Sequence, residues 1–225
     1  LRGNRYALWA ILLIAPPLMI YSHEFVKLYI GEKYLLAAGV IVCMMAVQPL
    51  HYSNIMFPYL AAAAARLKEV ALRQIAVQSS TLLVALYLVA QLKLGAMGSA
   101  CAILITGTVS APLIWWPLGR RISGVSVSEW LRETIRPGVL PAFAGIAVWL
   151  PLEQIVSPSS WVALGGCLLA GVVSYLTVLL GFCLRPQERE DLNRIWQTIR
   201  TVPRRWLPYD SGGPDGDQQI PTDPA

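Results

Sequence analysis

Apolar residues in this chain fall in long uninterrupted blocks rather than in alternation or in single helical stripes. The longest, LLAAGVIVCMMAVQPLHYSNIMFPYLAAAAA from Leu35 to Ala65, has no acidic or basic side chain other than His51. As one helix it would reach roughly 45 Å, against about 30 Å for a bilayer's hydrocarbon core, so it must tilt, bend or end among headgroups. Pro49 and Pro58 are the expected bends, because each lacks a donor and presses its ring on the carbonyl four residues back. Gln48, His51 and Asn54 share about a third of the helix circumference and give this rod one polar face.

Five further blocks are long enough to span, at about residues 6–21, 70–92, 96–116, 139–156 and 161–184. The first is expected to break at Pro16 and Pro17. Lys93 and Gly95 leave so short a connection that the third and fourth spans must form an antiparallel hairpin. Between Gly119 and Arg136, Ser126 and Glu129 stand in capping-box spacing, and Val127, Trp130, Leu131 and Ile135 recur on one face. That pattern predicts a separate helix lying on the membrane surface. Residues 185–207 place Leu192, Ile195, Trp196 and Ile199 at helical spacing and predict a second interfacial helix. Residues 208–225, rich in Pro, Gly, Asp and Gln, are expected to be disordered. The fold class is therefore all-α membrane protein: one six-span domain over residues 1–184, two interfacial helices and a tail.

Composition agrees. The chain is 56% hydrophobic and only 14% charged, where soluble domains carry about a quarter charged residues. Its net charge of +5 reports topology rather than nucleic-acid binding. With alternating spans, all of the 18 basic residues except Lys27, Lys33 and Lys93 fall on one side, the cytoplasmic one by the positive-inside rule, with both termini. The four cysteines lie in or beside apolar blocks without metal-ligand spacing and are expected as small buried hydrophobes. The chain starts at Leu1, one turn from a span and with no signal-peptide pattern, which is the expectation for a fragment.

No nucleophile, acid–base pair, metal set or phosphate loop falls at membrane depth, so neither catalysis nor a cofactor is expected. Glu24 and Glu153 are expected as solvated loop carboxylates. Gln48, His51, Asn54, Gln78 and Thr81 have two readings: they line a hydrated path, or they bond between helices and patch the proline breaks. Arg66, Lys68 and Arg73 are candidate contacts for the phosphate of a lipid-linked substrate, or for headgroups alone.

Three strings resemble a known family. KLYIGEKYLLAAGVI (27–41) looks like the join between two spans in the multidrug/oligosaccharidyl-lipid/polysaccharide exporter superfamily. AAAAARLKEVALRQ (61–74) looks like its small-residue helix end and basic turn, and LKLGAMGSACA (92–102) like its Gly-bearing hairpin. Polysaccharide biosynthesis, O-antigen and teichoic acid flippases are the most similar branch. The resemblance implies the last six spans of a fourteen-helix, two-lobe exporter that moves an undecaprenyl-linked glycan across the bacterial inner membrane. It also implies partners: the lipid bilayer, the lipid-linked oligosaccharide and the N-terminal portion of the same protein. The alternatives are a glycan polymerase or ligase using the same carrier, and a scaffold that binds glycan-assembly enzymes.

The charge bias makes a topological prediction. In a variant lacking the native cysteines, one introduced at Lys93 should react with an impermeant thiol reagent from outside, and one at Arg121 should not. Labelling at Arg121 would refute the six-span topology.

Overall fold

The computed structural model describes residues 2–184, 186, 188–191, 194 and 197. The chain divides into two compact units, Leu1–Cys183 and Leu184–Ala225. In the second, where an interfacial helix is expected, residues 186, 188–191, 194 and 197 are helical. The other positions of 185–207 and the whole of 208–225 lie outside the described residues.

The first unit is helical throughout, with no strand among the described residues. Its elements are α1 (Arg2–Ile20), α2 (Ser22–Tyr29), α3 (Leu36–Tyr52), α4 (Phe57–Ala63), α5 (Leu67–Ala90), α6 (Gly95–Ser123), α7 (Val127–Val156) and α8 (Trp161–Cys183). Counting α3 and α4 as one bent span, six are long and apolar enough to cross a membrane. Their packing order is α5, α6, α3, α1, α7, α8, which places the first two spans between two hairpins.

Prolines do not end helices where they stand. α1 runs through Pro16 and Pro17 to Ile20, and α3 runs through Pro49 to Tyr52. In both, the break comes one turn later, where Tyr21 N–H donates to Pro17 O (2.9 Å) and Ser53 N–H to Pro49 O (3.0 Å). A proline lacks its own donor but keeps its carbonyl, so the helix closes its last bond onto that carbonyl before turning. The expected break at Pro49 is thus displaced to residues 53–56, and Pro58 sits in the first turn of α4, where its missing N–H costs nothing.

The expected separate surface helix over 119–136 is not formed. Residues 116–123 complete α6, which Gly124 ends in the left-handed conformation (φ 71°), and Ser126 Oγ accepts Glu129 N–H at 3.2 Å to start α7. From there α7 continues to Val156. Pro137 should stop it, yet a π turn over Leu131–Ile135 lets Arg136 N–H reach Leu131 O and relieves the ring's contact with the preceding turn. The carbonyl that Pro137 orphans, that of Glu133, accepts from Arg5 Nη1 at 3.2 Å. α6 repeats the device, with a π turn over Ala111–Trp115 two residues ahead of Pro117. Arg5, placed by pattern just ahead of the first span, is therefore inside α1 and only 3% exposed, with Trp9 beneath its guanidinium.

The α7–α8 hairpin is built on Trp149. This indole is fully buried, donates to Leu168 O (3.2 Å), and packs with Tyr21, Leu164 and Cys167. Tyr21 Oη donates to Trp149 O at 3.0 Å, which pins the end of α1 to α7. A Cβ at Gly171 or Gly145 would enter the indole's space, so these glycines form its slot. Further along, Tyr175 Oη donates to Trp9 O (2.9 Å), tying α8 to α1.

Glu24 and Glu153 are both helical and half-buried rather than solvated loop residues, because the breaks after α1 and α7 fall elsewhere. Both lie within electrostatic reach of the Tyr21 hydroxyl. On the exposed surface beyond α1, Lys27 and Glu32 pair at 2.7 Å; their hydrogen bond raises the ammonium pKa and lowers that of the carboxyl.

Trp149's slot yields a paired test. Gly171→Ala should cost about 1–3 kcal/mol through overpacking, while Gly166→Ala, which meets open space, should stay within about 0.5 kcal/mol. Unfolding of the purified protein in detergent checks both, and equal effects would remove the slot from the account.

Candidate functional site

α3 and α6 approach closely because Gly107 of α6 leaves room for Val47, and a Cβ there would collide with the valine. Deeper along the same interface the Cys43 and Cys101 sulfurs meet at 4.0 Å as free thiols. α5 packs on the other side of α6. Residues of the three helices and of the turn after α3 line a cavity of about 390 Å³. Drug-sized ligands occupy pockets of roughly 300–1,000 Å³.

Gln48, His51, Asn54, Gln78 and Thr81, scattered over two spans in the sequence, all line this one cavity. Gln74, Thr106 and Ser110 complete its polar wall, and Val47, Ile55, Val77 and Trp115 contribute apolar surface. No carboxylate, lysine or arginine is among the lining residues. Such a wall hydrogen-bonds uncharged, hydroxyl-rich groups without repelling or neutralising charge. Among the described residues there is no cluster of His, Cys, Asp and Glu suited to a metal ion.

Within the wall, the polar groups differ in how far they are committed. Asn54 Nδ2 donates to Leu50 O (2.7 Å) and to Ser53 Oγ (3.3 Å), while Ser53 Oγ donates to Leu50 O (2.8 Å). The patched carbonyl is therefore the one left open by the end of α3, not one freed by a proline. Asn54 Oδ1 is buried without a partner. Thr81 and Thr106 face each other at 2.8 Å across α5 and α6, and each also approaches a carbonyl of its own helix, Val77 O (2.8 Å) and Ala102 O (2.7 Å). Each hydroxyl has one proton, so two of these three contacts are hydrogen bonds at a time. His51 is exposed, with its ring edge-on to Tyr52 at 5.8 Å.

Arg66, Lys68 and Arg73 stand outside this wall, at the start of α5. Arg66 and Lys68 are exposed, and Arg73 is half-buried with Nη1 lacking a hydrogen-bond partner. Glu69 of the same turn faces Arg121 at 3.6 Å. Contacts of Asn4 with Met56, of Glu69 with Arg121 and of Arg5 with Glu133 gather the starts of α1, α5 and α7 and the end of α6 at one end of the unit.

Gln74, Thr106 and Ser110 carried a signal that pattern reading passed over. Gln74, Gln78 and Thr81 are spaced four and three apart on one helical stripe, and Thr106 and Ser110 four apart on another. What the sequence lacked was the packing of α3 on α6 that joins the stripes. No protein-family model, curated protein or solved structure matches the chain.

The two donors on Leu50 O predict non-additive substitutions. Ser53→Ala or Asn54→Ala alone should cost at most about 1 kcal/mol, and the pair about 1–3 kcal/mol, because only the pair leaves the carbonyl unmet. Additive losses in detergent unfolding would show that the patch is not shared.

Proposed function

We propose that the chain is the C-terminal part of a flippase that moves an undecaprenyl-linked oligosaccharide across the bacterial inner membrane during cell-surface polysaccharide synthesis. The observation that carries this reading is the cavity: eight polar, uncharged or imidazole side chains converge from three membrane-length helices on one space sized for a small ligand. Intramembrane polar groups cost free energy unless they bond one another or line a path. Here Gln48, Gln74, Gln78 and His51 make no side-chain bond comparable to the Asn54 patch.

In this reading sugar hydroxyls exchange hydrogen bonds with the amide and hydroxyl wall, while the lipid tail stays in the bilayer. Arg66, Lys68 and Arg73 meet the phosphate on the cytoplasmic side. Alternating access is the mechanism the exporter resemblance implies, with two lobes rocking about a central space and no covalent step. Support for a second lobe comes from α5, of which only 6% of the spanning window is buried, although Gln74 and Gln78 lie exposed on it. Amides are poor neighbours for lipid tails, and a further lobe of the kind the exporter resemblance implies would cover them.

In the intact parent protein, His51→Ala and Gln78→Ala should leave membrane abundance unchanged and reduce glycan export about tenfold or more, as expected when hydrogen bonds worth over ~1.4 kcal/mol are lost from the translocated state. Ser53→Ala and Asn54→Ala together, which leave Leu50 O unmet, should lower abundance and export together. Equal loss of abundance and export for His51→Ala would remove the path-lining role.

A further inference from the structure

The seam between α3 and α6 carries two free thiols, Cys43 and Cys101, just outside the lining of the polar cavity. Gly39 of α3 faces the Met97 thioether, and Cys43 faces Cys101 four residues on in both helices, so the two helices run side by side in one direction. One turn beyond, Val47 fills the space left by Gly107. The cysteine pair thus sits between two close contacts that hold α3 against α6.

The two sulfurs are 4.0 Å apart, close to van der Waals contact. A disulfide needs about 2.05 Å, and the gap of about 2 Å is on the scale that a change of rotamer moves a cysteine sulfur, with the backbones left in place. Access to the two thiols differs: Cys43 is 7% exposed, whereas Cys101 is half-buried. That asymmetry assigns an order, with Cys101 meeting an oxidant first and Cys43 resolving it. The other two cysteines lack this arrangement. Cys167 and Cys183 stand 16 residues apart on α8, roughly 24 Å along the helix and too far to pair. Cys167 packs instead with Tyr21 and Trp149.

We propose that Cys43 and Cys101 are a redox modification site, which hydrogen peroxide converts to a disulfide that clamps α3 to α6. Small and uncharged, this oxidant suits a thiol at membrane depth. Cys101 Sγ attacks one peroxide oxygen, the O–O bond breaks, and the departing hydroxide takes the thiol proton to leave as water, giving a sulfenic acid. Cys43 Sγ then attacks Cys101 Sγ, the S–O bond breaks, and the second hydroxide leaves as water with the Cys43 proton. Two electrons pass from the thiol pair to the peroxide, and a thiol reductant reverses the bond. The disulfide joins the helix that carries Gln48 and His51 to the one that carries Thr106 and Ser110, and so fixes the spacing of two walls of the polar cavity. The site does not depend on the transport reading.

The test treats the reduced, purified protein in detergent with hydrogen peroxide, blocks the remaining thiols and digests the chain with trypsin. Cutting after Lys33, Arg66, Lys93 and Arg120 leaves Cys43 alone in residues 34–66 and Cys101 alone in residues 94–120, so a disulfide between them joins these two peptides. Two of the 4 thiols should disappear, the joined peptide should form, and dithiothreitol should remove it. In Cys43→Ala, Cys101 should stop at the sulfenic acid and be trapped by dimedone, whereas Cys101→Ala should leave Cys43 unmodified. The oxidised protein should unfold at a higher denaturant concentration than the reduced one, and Cys43→Ala should show no such difference. No joined peptide, at a peroxide concentration that oxidises free glutathione, would overturn the site. Equal loss of the Cys167 and Cys183 thiols would overturn its selectivity, dimedone on Cys43 in Cys101→Ala the order of attack, and an unchanged unfolding midpoint the clamp.

Discussion

Every backbone carbonyl at membrane depth must find a donor, and most features of this unit follow from how it meets that demand around its prolines. In water an orphaned carbonyl is solvated at little cost; in hydrocarbon it costs several kcal/mol. The chain uses three devices. α1 and α3 carry on for a turn after the proline and close onto its carbonyl. α6 and α7 insert a π turn ahead of it. Side chains supply further donors, Arg5 from a distant helix for Glu133 O and Asn54, four residues on, for the Leu50 O left open where α3 ends. Each device also sets a position: the turn after α3 lines the polar cavity, and the Arg5 bond fixes α1 against α7.

The two hairpins flanking α1 and α3 solve the packing problem differently. α7 and α8 bury Trp149 in a glycine slot, where its one N–H donates to Leu168 O of α8, and Tyr175 ties α8 in turn to α1. α5 and α6 meet through threonines and small residues, and α5 turns most of its surface outward. Dispersion and hydrogen bonding, rather than the hydrophobic effect, hold helices together in lipid, so the first hairpin rests on a buried aromatic and the second on a threonine pair. The polar cavity lies on the α5–α6 side.

Much of this was legible in the sequence. Six apolar blocks became six membrane-length helices, the Ser126–Glu129 spacing gave a real N-cap, and the polar residues singled out by depth alone share one cavity. The illegible parts have a common cause. A proline signals a break, but its place depends on which donor reaches the freed carbonyl, and that donor comes from a distant segment. Hence the segment from Gly119 to Arg136 reads as a separate surface helix, when Arg5, 128 residues from Glu133, meets the carbonyl there and α7 runs on through Pro137. The same reasoning explains Gln74, Thr106 and Ser110, whose meaning rests on a contact between helices that no local window contains.

The π turn in α6 has one more effect. An extra residue in one turn rotates everything beyond it by about 100° relative to an unbroken α-helix. Ahead of that turn α6 shows Thr106, Gly107 and Ser110 to the polar cavity; beyond it the helix shows Trp116, Gly119 and Arg120 to a second, smaller cavity near its end. One rod thus serves two chambers, and the extra residue in the π turn decides which side chains reach the second: a one-residue deletion between Ala111 and Trp115 would close it to an α turn and leave both faces where they are, whereas a one-residue deletion beyond it would swing the second face away.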